Sequence, residues 1–367
     1  MKAAVLRAFD RPLAVEEISI QPPRDREVLV RIIATGVCGS DLSTIRGKTR
    51  SALPLVPGHE AAGIVEGTGP GVSKVKPGDR VALSWAPNCG HCFYCHEGHP
   101  TLCDVYGQAA AAGALWDGTR RLGERGAALG HYSCVSSFAE FAVVPENGCI
   151  VIPDDVSFAV AALVGCAVTT GFGAIMNDAA VRGGDLVAVV GIGGVGVNAL
   201  QAARLAGAQA IIAIDANPGK RSVALANGAT HFIDARDTDV VDQVKALTCG
   251  RGADHTVEST GRPEAMTLAY LMTRPAGSVV IVGIAPVGVD LAIPAIGFPG
   301  SKKRVIGSIY GGGIPERDMQ RIFSLYRSKR LDLEAQIGER IKLDQVNDAL
   351  RWLEQGVTAR TIIEFGA

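Results

Sequence analysis

Four cysteines stand close together in the first third of the chain. They are Cys89, Cys92, Cys95 and Cys103, with the spacing Cys-x2-Cys-x2-Cys-x7-Cys. Four thiolates in so short a segment can complete a tetrahedron around one zinc ion, which leaves no coordination position for water. An iron–sulfur cluster also takes four cysteines, but the sequence offers this loop no redox partner. The spacing therefore predicts a closed, structural zinc site.

A second motif, Gly191-Ile192-Gly193-Gly194-Val195-Gly196, fits the G-x-G-x-x-G pattern of dinucleotide-binding turns. It follows an apolar, β-branched run and precedes an alanine-rich helical stretch. Glycines here permit a tight turn and let a pyrophosphate approach the bare backbone at a helix N-terminus. The motif predicts that this turn binds a dinucleotide.

The expected nucleotide is NAD rather than NADP. Asp215 lies 19 residues after Gly196, at the end of the next predicted strand. A carboxylate in that place accepts hydrogen bonds from both hydroxyls of the adenosine ribose and repels a 2′-phosphate. Lys220 and the neighbouring Arg221 would weaken this preference because they add positive charge nearby.

These residues need two kinds of scaffold. Up to about residue 155 the chain shows short, alternating strands separated by glycine and proline, typical of a partly open antiparallel barrel. From about residue 160, apolar strands alternate with helices, which favours βαβ units around a parallel sheet. The tail is mixed again. We therefore predict a domain over 1–160, a nucleotide-binding domain over 161–305, and a return to the first domain over 306–367.

Composition excludes several classes of protein. The chain has 367 residues, 47% of them hydrophobic, and a formal net charge of −1. This suits two folded domains and excludes disorder, and no basic face points to nucleic acid or anionic lipid. No apolar run is expected to reach the roughly 18 residues of a membrane span. The charged N-terminus does not fit a signal peptide, so we expect a soluble, cytoplasmic protein with no nucleic-acid or membrane partner.

Several motifs together resemble one family. The segment Gly58-His59-Glu60-Ala61-Ala62-Gly63, the four-cysteine loop, the segment from Gly165 through Cys166 to Gly171, and the glycine turn occur in this order. Their order and spacing resemble the zinc-dependent medium-chain alcohol dehydrogenases, and the similarity runs from about residue 28 to residue 365. The resemblance implies an α/β fold in which a Rossmann parallel-sheet coenzyme domain is inserted in a β-rich, GroES-like catalytic domain.

The resemblance also implies a second, catalytic zinc. Its ligands would be Cys38, His59 and Cys166, which spacing alone would not group, and the fourth position would stay open for substrate. Two Zn²⁺ ions per chain and NAD are then the expected cofactors. The other cysteines, Cys134, Cys149 and Cys249, match no ligand position of the family.

By the same resemblance, three residues beside the catalytic zinc have roles in the reaction. Ser40 would take the proton of the alcohol. Asp41 would orient the ligand His59, and Glu60 would lie behind the metal and assist ligand exchange. The resemblance also implies that Thr170 and the backbone of Val282 and Ile284 contact the nicotinamide. Arg360 would contact the pyrophosphate. Trp85 and Tyr132 would form walls of the substrate pocket.

The chain departs from the family pattern in two places. Many members carry a histidine five residues after the first cysteine ligand, where this chain has Ser43. That histidine completes a proton relay, so proton exit here is left to water or to the ribose. Many members also have a basic residue directly after that cysteine, where this chain has Gly39.

The resulting expectation is a zinc- and NAD-dependent enzyme that reversibly oxidises alcohols to aldehydes or ketones, with primary aliphatic or aromatic alcohols as the main substrates. Three alternatives stay open: a thiol-adduct formaldehyde dehydrogenase, another zinc-dependent medium-chain dehydrogenase, and a non-enzymatic zinc protein that binds a nucleotide. Against the first, Gly107 stands where those enzymes carry an arginine. The family assembles by pairing coenzyme-domain sheet edges, so we expect a homodimer or homotetramer, with residues 278–286 as the edge.

Overall fold

We describe the fold from a computed structural model of residues 1–49, 51–124, 126–356 and 360–366. The chain divides into two compact units, Met1–Ala167 with Ile314–Ala367, and Val168–Gly313. One unit interrupts the other in sequence, which confirms the predicted insertion. Both boundaries fall later than the predicted 160/161 and 305/306. The first lies within a continuous helical segment, so no turn residue marks it in the sequence.

The first unit begins with eleven strands within the described residues, and most of them pair antiparallel. They are β1 (Lys2–Val5), β2 (Ala14–Glu17), β3 (Ser19–Ile20), β4 (Glu27–Gly36), β5 (Leu55–Val56), β6 (Glu60–Thr68), β7 (Arg80–Leu83), β8 (Leu122–Glu124), β9 (Ala127–His131), β10 (Phe141–Pro145) and β11 (Cys149–Val151). Alternate residues of β4, Val28, Val30 and Ile32, are fully buried. This period of two is the pattern of a strand with one face on a core.

The helices of this segment are α1 (Gly39–Ile45), α2 (Phe93–His96), α3 (Asp104–Ala112) and α4 (Phe158–Leu163). All four are short, and α1 and α3 begin directly after Cys38 and Cys103. Helix α4 continues through a π-helical turn at Val164–Val168.

The second unit contains a parallel sheet of six strands. The strands are β12 (Leu186–Val190), β13 (Ala210–Asp215), β14 (His231–Asp234), β15 (Ala253–Glu258), β16 (Thr273–Ile281) and β17 (Arg304–Gly307). Their order across the sheet is β14-β13-β12-β15-β16-β17. The helices are α5 (Thr169–Gly173), α6 (Gly194–Leu205), α7 (Arg221–Ala226), α8 (Val240–Leu247), α9 (Pro263–Met272) and α10 (Gly297–Ser301).

This order corrects the expected assembly edge. The strand in residues 278–286 is β16, and it pairs with β15 on one side and with β17 on the other. Among the residues that the structure describes, the edges of this sheet are β14 and β17. The sequence predicted a strand over residues 278–283, but strand order depends on long-range pairing that no local pattern encodes.

The chain then returns to the first unit. It adds α11 (Pro315–Arg327), β18 (Arg340–Ile341), α12 (Val346–Gln355) and β19 (Ile362–Glu364), in that order. Strand β19 pairs antiparallel with β4. It thereby joins a seven-stranded sheet that follows the path β11-β7-β6-β4-β19-β18, with β10 also on β4.

The segment Phe158–Asp178 contradicts the expectation of no membrane-length run. By length and composition it is apolar enough to cross a membrane, but 94% of its most apolar window is buried inside the protein. A buried core helix passes the same test, so its hydropathy is accounted for by packing.

Candidate functional site

The structure brings together the three dispersed residues Cys38, His59 and Cys166. One sulfur or ring nitrogen from each lies within 4.8 Å of the others, and all three residues are buried. Strand pairing explains the first two, because Gly36 of β4 lies opposite Glu60 of β6, so the residues just outside these strands meet at the same end. The backbone N–H of Ala167 donates to Glu60 Oε1 at 2.9 Å and ties the π-helical turn of Cys166 to β6.

Asp41 connects the first two members of this group. Its fully buried carboxylate accepts hydrogen bonds from the backbone N–H of Cys38 at 3.0 Å and from that of Gly58 at 3.1 Å. It also accepts from His59 Nδ1 at 3.0 Å. With Nδ1 held by the carboxylate, Nε2 is the ring nitrogen of His59 that could bind a metal, which would take the place of its proton.

The charges of this cluster favour a cation. A hydrogen bond from Cys166 and the nearby His59 hold the pKa of the Cys38 thiol well below its usual value, although burial opposes them. Burial would lower the pKa of His59, but the carboxylate of Asp41 and the Cys38 sulfur raise it to about 10. The thiolate is the form of cysteine that binds metals. Two cysteine sulfurs and an imidazole nitrogen within 4.8 Å of one another fit the three protein ligands of a zinc site that retains an open position.

The four-cysteine loop forms a second cluster. The sulfurs of Cys89, Cys92, Cys95 and Cys103 all lie within 4.8 Å of one another. The sulfurs of Cys92 and Cys103 are 3.9 Å apart. A backbone hydrogen bond from Cys95 lowers the pKa of Cys92 to about 6, whereas burial raises that of Cys95 to about 12. Four sulfurs converging on one point fit a closed tetrahedral zinc site.

Glu60 and Arg360 form a buried ion pair next to the first cluster. Arg360 Nη2 contacts Glu60 Oε2, and the two side chains are 5% and 0% exposed. The predicted role of Arg360 toward pyrophosphate stays a prediction. The buried Nε–H of Arg360 has no acceptor among the described residues, so this guanidinium retains donor capacity.

Ser40, Trp85 and Tyr132 lie beside the cluster of Cys38, His59 and Cys166. Ser40 is half-buried, and its Oγ lies 3.9 Å from the Cys38 sulfur. The rings of Trp85 and Tyr132 meet the His59 ring edge-on, with centroids 6.4 Å and 5.5 Å away. Sequence reasoning missed Thr44, one turn beyond Ser40 in α1.

The hydroxyl group of Tyr132 has hydrogen-bonding partners that the sequence did not suggest. It donates to the backbone carbonyl of Ser40 at 3.3 Å and accepts from Thr44 Oγ1 at 3.1 Å. Burial and the nearby Asp41 carboxylate raise the pKa of Tyr132 well above its usual value. The phenol therefore stays protonated and remains a donor to Ser40.

In the second unit, the glycine turn exposes backbone without side chains at the start of helix α6. Gly191 has a φ of +90°, and a Cβ on Gly196 would lie 1.9 Å from the Gly191 carbonyl oxygen. A Cβ on Gly193 would meet nothing within 4 Å, and no side chain caps the helix that begins at Gly194. Exposed N–H groups at a helix N-terminus with open space before them fit a pyrophosphate. The carbonyl of Val195 packs on Gly171.

Asp215 lies beside this turn and is already hydrogen-bonded. It accepts from the backbone N–H of Ile192 at 2.6 Å and from that of Asn217 at 2.8 Å. Lys220 Nζ lies 3.0 Å from Asp215 Oδ2 in a partly exposed ion pair. Asp215 therefore fixes the glycine turn, and the surface Lys220 partly balances its charge.

Of the remaining predicted cofactor residues, Val282 and Ile284 follow the end of strand β16, and Thr170 lies in helix α5, before the parallel sheet begins. Val282 directly follows β16, and its N–H donates to the carbonyl of Glu258 at the end of β15. Ile284 is 64% exposed. The buried hydroxyl of Thr170 has no hydrogen-bond partner among the described residues, which is consistent with an absent polar ligand. Sequence reasoning missed Glu258, whose carboxylate accepts from the N–H groups of Thr260 and Gly261.

Two family models match the chain. The alcohol dehydrogenase GroES-like domain matches residues 24–154, and the zinc-binding dehydrogenase domain matches residues 194–327. The first match contains the four-cysteine loop together with Cys38 and His59, whereas Cys166 lies beyond it. The second match begins within the glycine turn, at Gly194, and contains Asp215.

Individual proteins are similar along the whole chain. The NDMA-dependent alcohol dehydrogenase of Amycolatopsis methanolica is 36% identical over 369 residues, covering 100% of this chain and 99% of the relative. The benzyl alcohol dehydrogenase structure from Acinetobacter calcoaceticus has a TM-score of 0.94 at 30% identity, covering 100% and 99%. An alcohol dehydrogenase zinc-binding domain protein from Burkholderia ambifaria has the same TM-score and coverage at 34% identity.

Proposed function

The chain belongs to the zinc-dependent medium-chain alcohol dehydrogenase family, and from this premise we propose that it reversibly oxidises primary alcohols to aldehydes with NAD. The observation that carries the proposal is the convergence of Cys38, His59 and Cys166 beside the hydroxyl of Ser40. When bound, zinc supplies a Lewis acid and the nicotinamide accepts a hydride. Cys38, His59 and Cys166 would hold one zinc, and the four-cysteine loop would hold the other.

The chain's own residues handle the proton and the geometry. Ser40 Oγ, which can both accept and donate, would accept the hydroxyl proton of the alcohol and pass its own proton to water or to the ribose of the nucleotide. Tyr132 donates to the Ser40 carbonyl and so fixes the start of α1. Asp41 holds His59 with Nε2 directed away from the carboxylate. Each of these contacts reduces the freedom of a group that must stay in place during the reaction.

The proposal is tested by turnover with defined metal content. Zinc-loaded protein is expected to contain close to two zinc ions per chain and to reduce NAD when supplied with benzyl alcohol or 1-hexanol. Metal analysis and absorbance at the NADH band give the two measurements. NADP and NDMA are the comparison acceptors, because the Amycolatopsis relative is named for NDMA dependence. Two zinc ions without oxidation of any alcohol would exclude the proposal.

A further expectation concerns the choice of nucleotide. Replacing Asp215 by glycine is expected to reduce or reverse the preference for NAD over NADP, because it removes the charge that repels a 2′-phosphate and frees Lys220 from its ion pair. The ratio of kcat/KM for the two cofactors measures this. Asp234→Gly is the matched control, since Asp234 ends the neighbouring strand and pairs with Arg236. A wild-type protein that already prefers NADP would contradict the assignment.

We also propose a cytoplasmic homodimer or homotetramer, without a nucleic-acid or membrane partner. Within the described residues, strand β17 has no partner strand on its outer side; Val305 of this strand and Ile309 just after it are 37% and 41% exposed. Such an edge offers unpaired backbone groups to the same strand of a second copy. Sedimentation analysis gives the mass in solution, and a monomer would exclude the assembly. Cell fractionation tests the compartment.

A further inference from the structure

Two aromatic side chains flank the four-cysteine loop and meet each other. Trp85 lies four residues before Cys89, and Tyr106 lies three residues after Cys103. Their ring centroids are 6.1 Å apart with an interplanar angle of 60°. The two rings therefore close the loop at its base, where the chain enters and leaves it.

The cysteines hold both ends of this loop. The backbone N–H of Cys89 donates to the Cys103 sulfur at 3.3 Å, which joins the first ligand to the last. The same sulfur accepts a hydrogen bond from the backbone of Tyr106. Helix α3 begins directly after Cys103, and the N–H of Gly107 donates to the Cys103 carbonyl at 2.8 Å. A metal on the four sulfurs would thus fix the helical turn that carries Tyr106.

This pair of rings lies next to the catalytic cluster. Trp85 meets His59 edge-on at 6.4 Å. Tyr106 is 9% exposed, and burial raises the pKa of its phenol above the usual value. The phenol is therefore neutral, and its ring adjoins the catalytic cluster through Trp85. With Tyr132 at 5.5 Å from His59, the ligand histidine has aromatic neighbours from two segments of the chain.

We propose that Tyr106 is a specificity-determining residue, which the four-cysteine cluster holds against Trp85 to form an aromatic wall beside His59 that favours alcohols bearing an aromatic ring. The inference rests on the proposed function and names its substrate class. Aromatic rings gain free energy from edge-to-face and offset contacts beyond the area they bury. An alkyl chain of similar size gains only the burial, so the wall discriminates between the two.

The test compares two alcohols in three variants. For Tyr106→Leu we expect the ratio of kcat/KM for benzyl alcohol to kcat/KM for 1-hexanol to fall by about 2- to 10-fold, the range of an aromatic pair. Tyr106→Phe keeps the ring and should keep the ratio. Tyr94→Leu is the matched control, because Tyr94 lies on the same loop but packs on Phe93. An unchanged ratio in Tyr106→Leu, or an equal fall in Tyr94→Leu, would overturn the proposal.

A binding measurement separates this inference from the proposed function. Benzyl alcohol is titrated into zinc-loaded protein while tryptophan fluorescence is recorded, and the zinc content of each variant is measured. We expect weaker binding in Tyr106→Leu at an unchanged zinc content. If the wild type oxidises neither alcohol, the proposed function fails, and the titration still decides the role of Tyr106. Equal affinity in wild type and Tyr106→Leu would exclude it.

Discussion

Replacement of Cys166 by alanine is expected to remove one of two zinc ions and to abolish alcohol oxidation while the fold persists. Cys166 supplies one of the two sulfurs that converge with His59. Without it, only one thiolate and one imidazole remain, and two ligands hold zinc far less firmly than three. The side chain is small, so the packing loss is modest. Metal analysis, circular dichroism and the rate of NAD reduction measure the three parts of this expectation.

Two alanine variants serve as controls for Cys166→Ala. Cys149 is a buried cysteine outside both clusters, so Cys149→Ala should keep both zinc ions and the activity. Cys92→Ala should also lose one zinc, but its main effect should be lower stability, because the four-cysteine loop loses its closure. A Cys166→Ala protein that retains two zinc ions or wild-type turnover would contradict the ligand assignment.

Replacement of Ser40 by alanine is expected to lower kcat/KM for alcohol oxidation by about 10²- to 10⁴-fold, the range for a lost proton-transfer group. Ser40 Oγ lies 3.9 Å from the Cys38 sulfur, so it lies beside the cluster of Cys38, His59 and Cys166. Alanine leaves α1 and the Tyr132 contact intact, because that contact uses the Ser40 backbone carbonyl. Zinc content and NAD affinity should therefore stay unchanged, which separates a proton-transfer role from a folding role.

Ser43→Ala is the matched control for Ser40→Ala. Ser43 is a half-buried serine of the same helix, at the position where many family members carry the relay histidine. A serine hydroxyl has no basic pKa near neutral pH and cannot act as the terminal base, so this variant should change the rate far less. The measurement is kcat/KM for one good alcohol across the pH range. Wild-type rates in Ser40→Ala would mean that the hydroxyl serves only the turn.

The sequence alone determined the features whose chemistry is local. The four cysteines converge because their spacing lets a short loop fold back on itself, and the glycine turn keeps its shape because Gly191 and Gly196 meet within six residues. The alternation in β4 likewise predicts its buried face, and alternating strands and helices predict the parallel sheet. In each case the contacts that matter join neighbours in the chain.

Only the tertiary structure decided the features that depend on distant pairing. Cys166 joins Cys38 and His59 because a backbone N–H of its turn binds Glu60, and that contact joins residues 107 positions apart in sequence. The Tyr132 hydroxyl reaches the Ser40 carbonyl 92 positions away. The order of strands, which places β17 at one edge of the parallel sheet, and the burial of Phe158–Asp178 are decided in the same way. Local spacing cannot encode such contacts, because their closure follows from the packing of whole elements around a shared core.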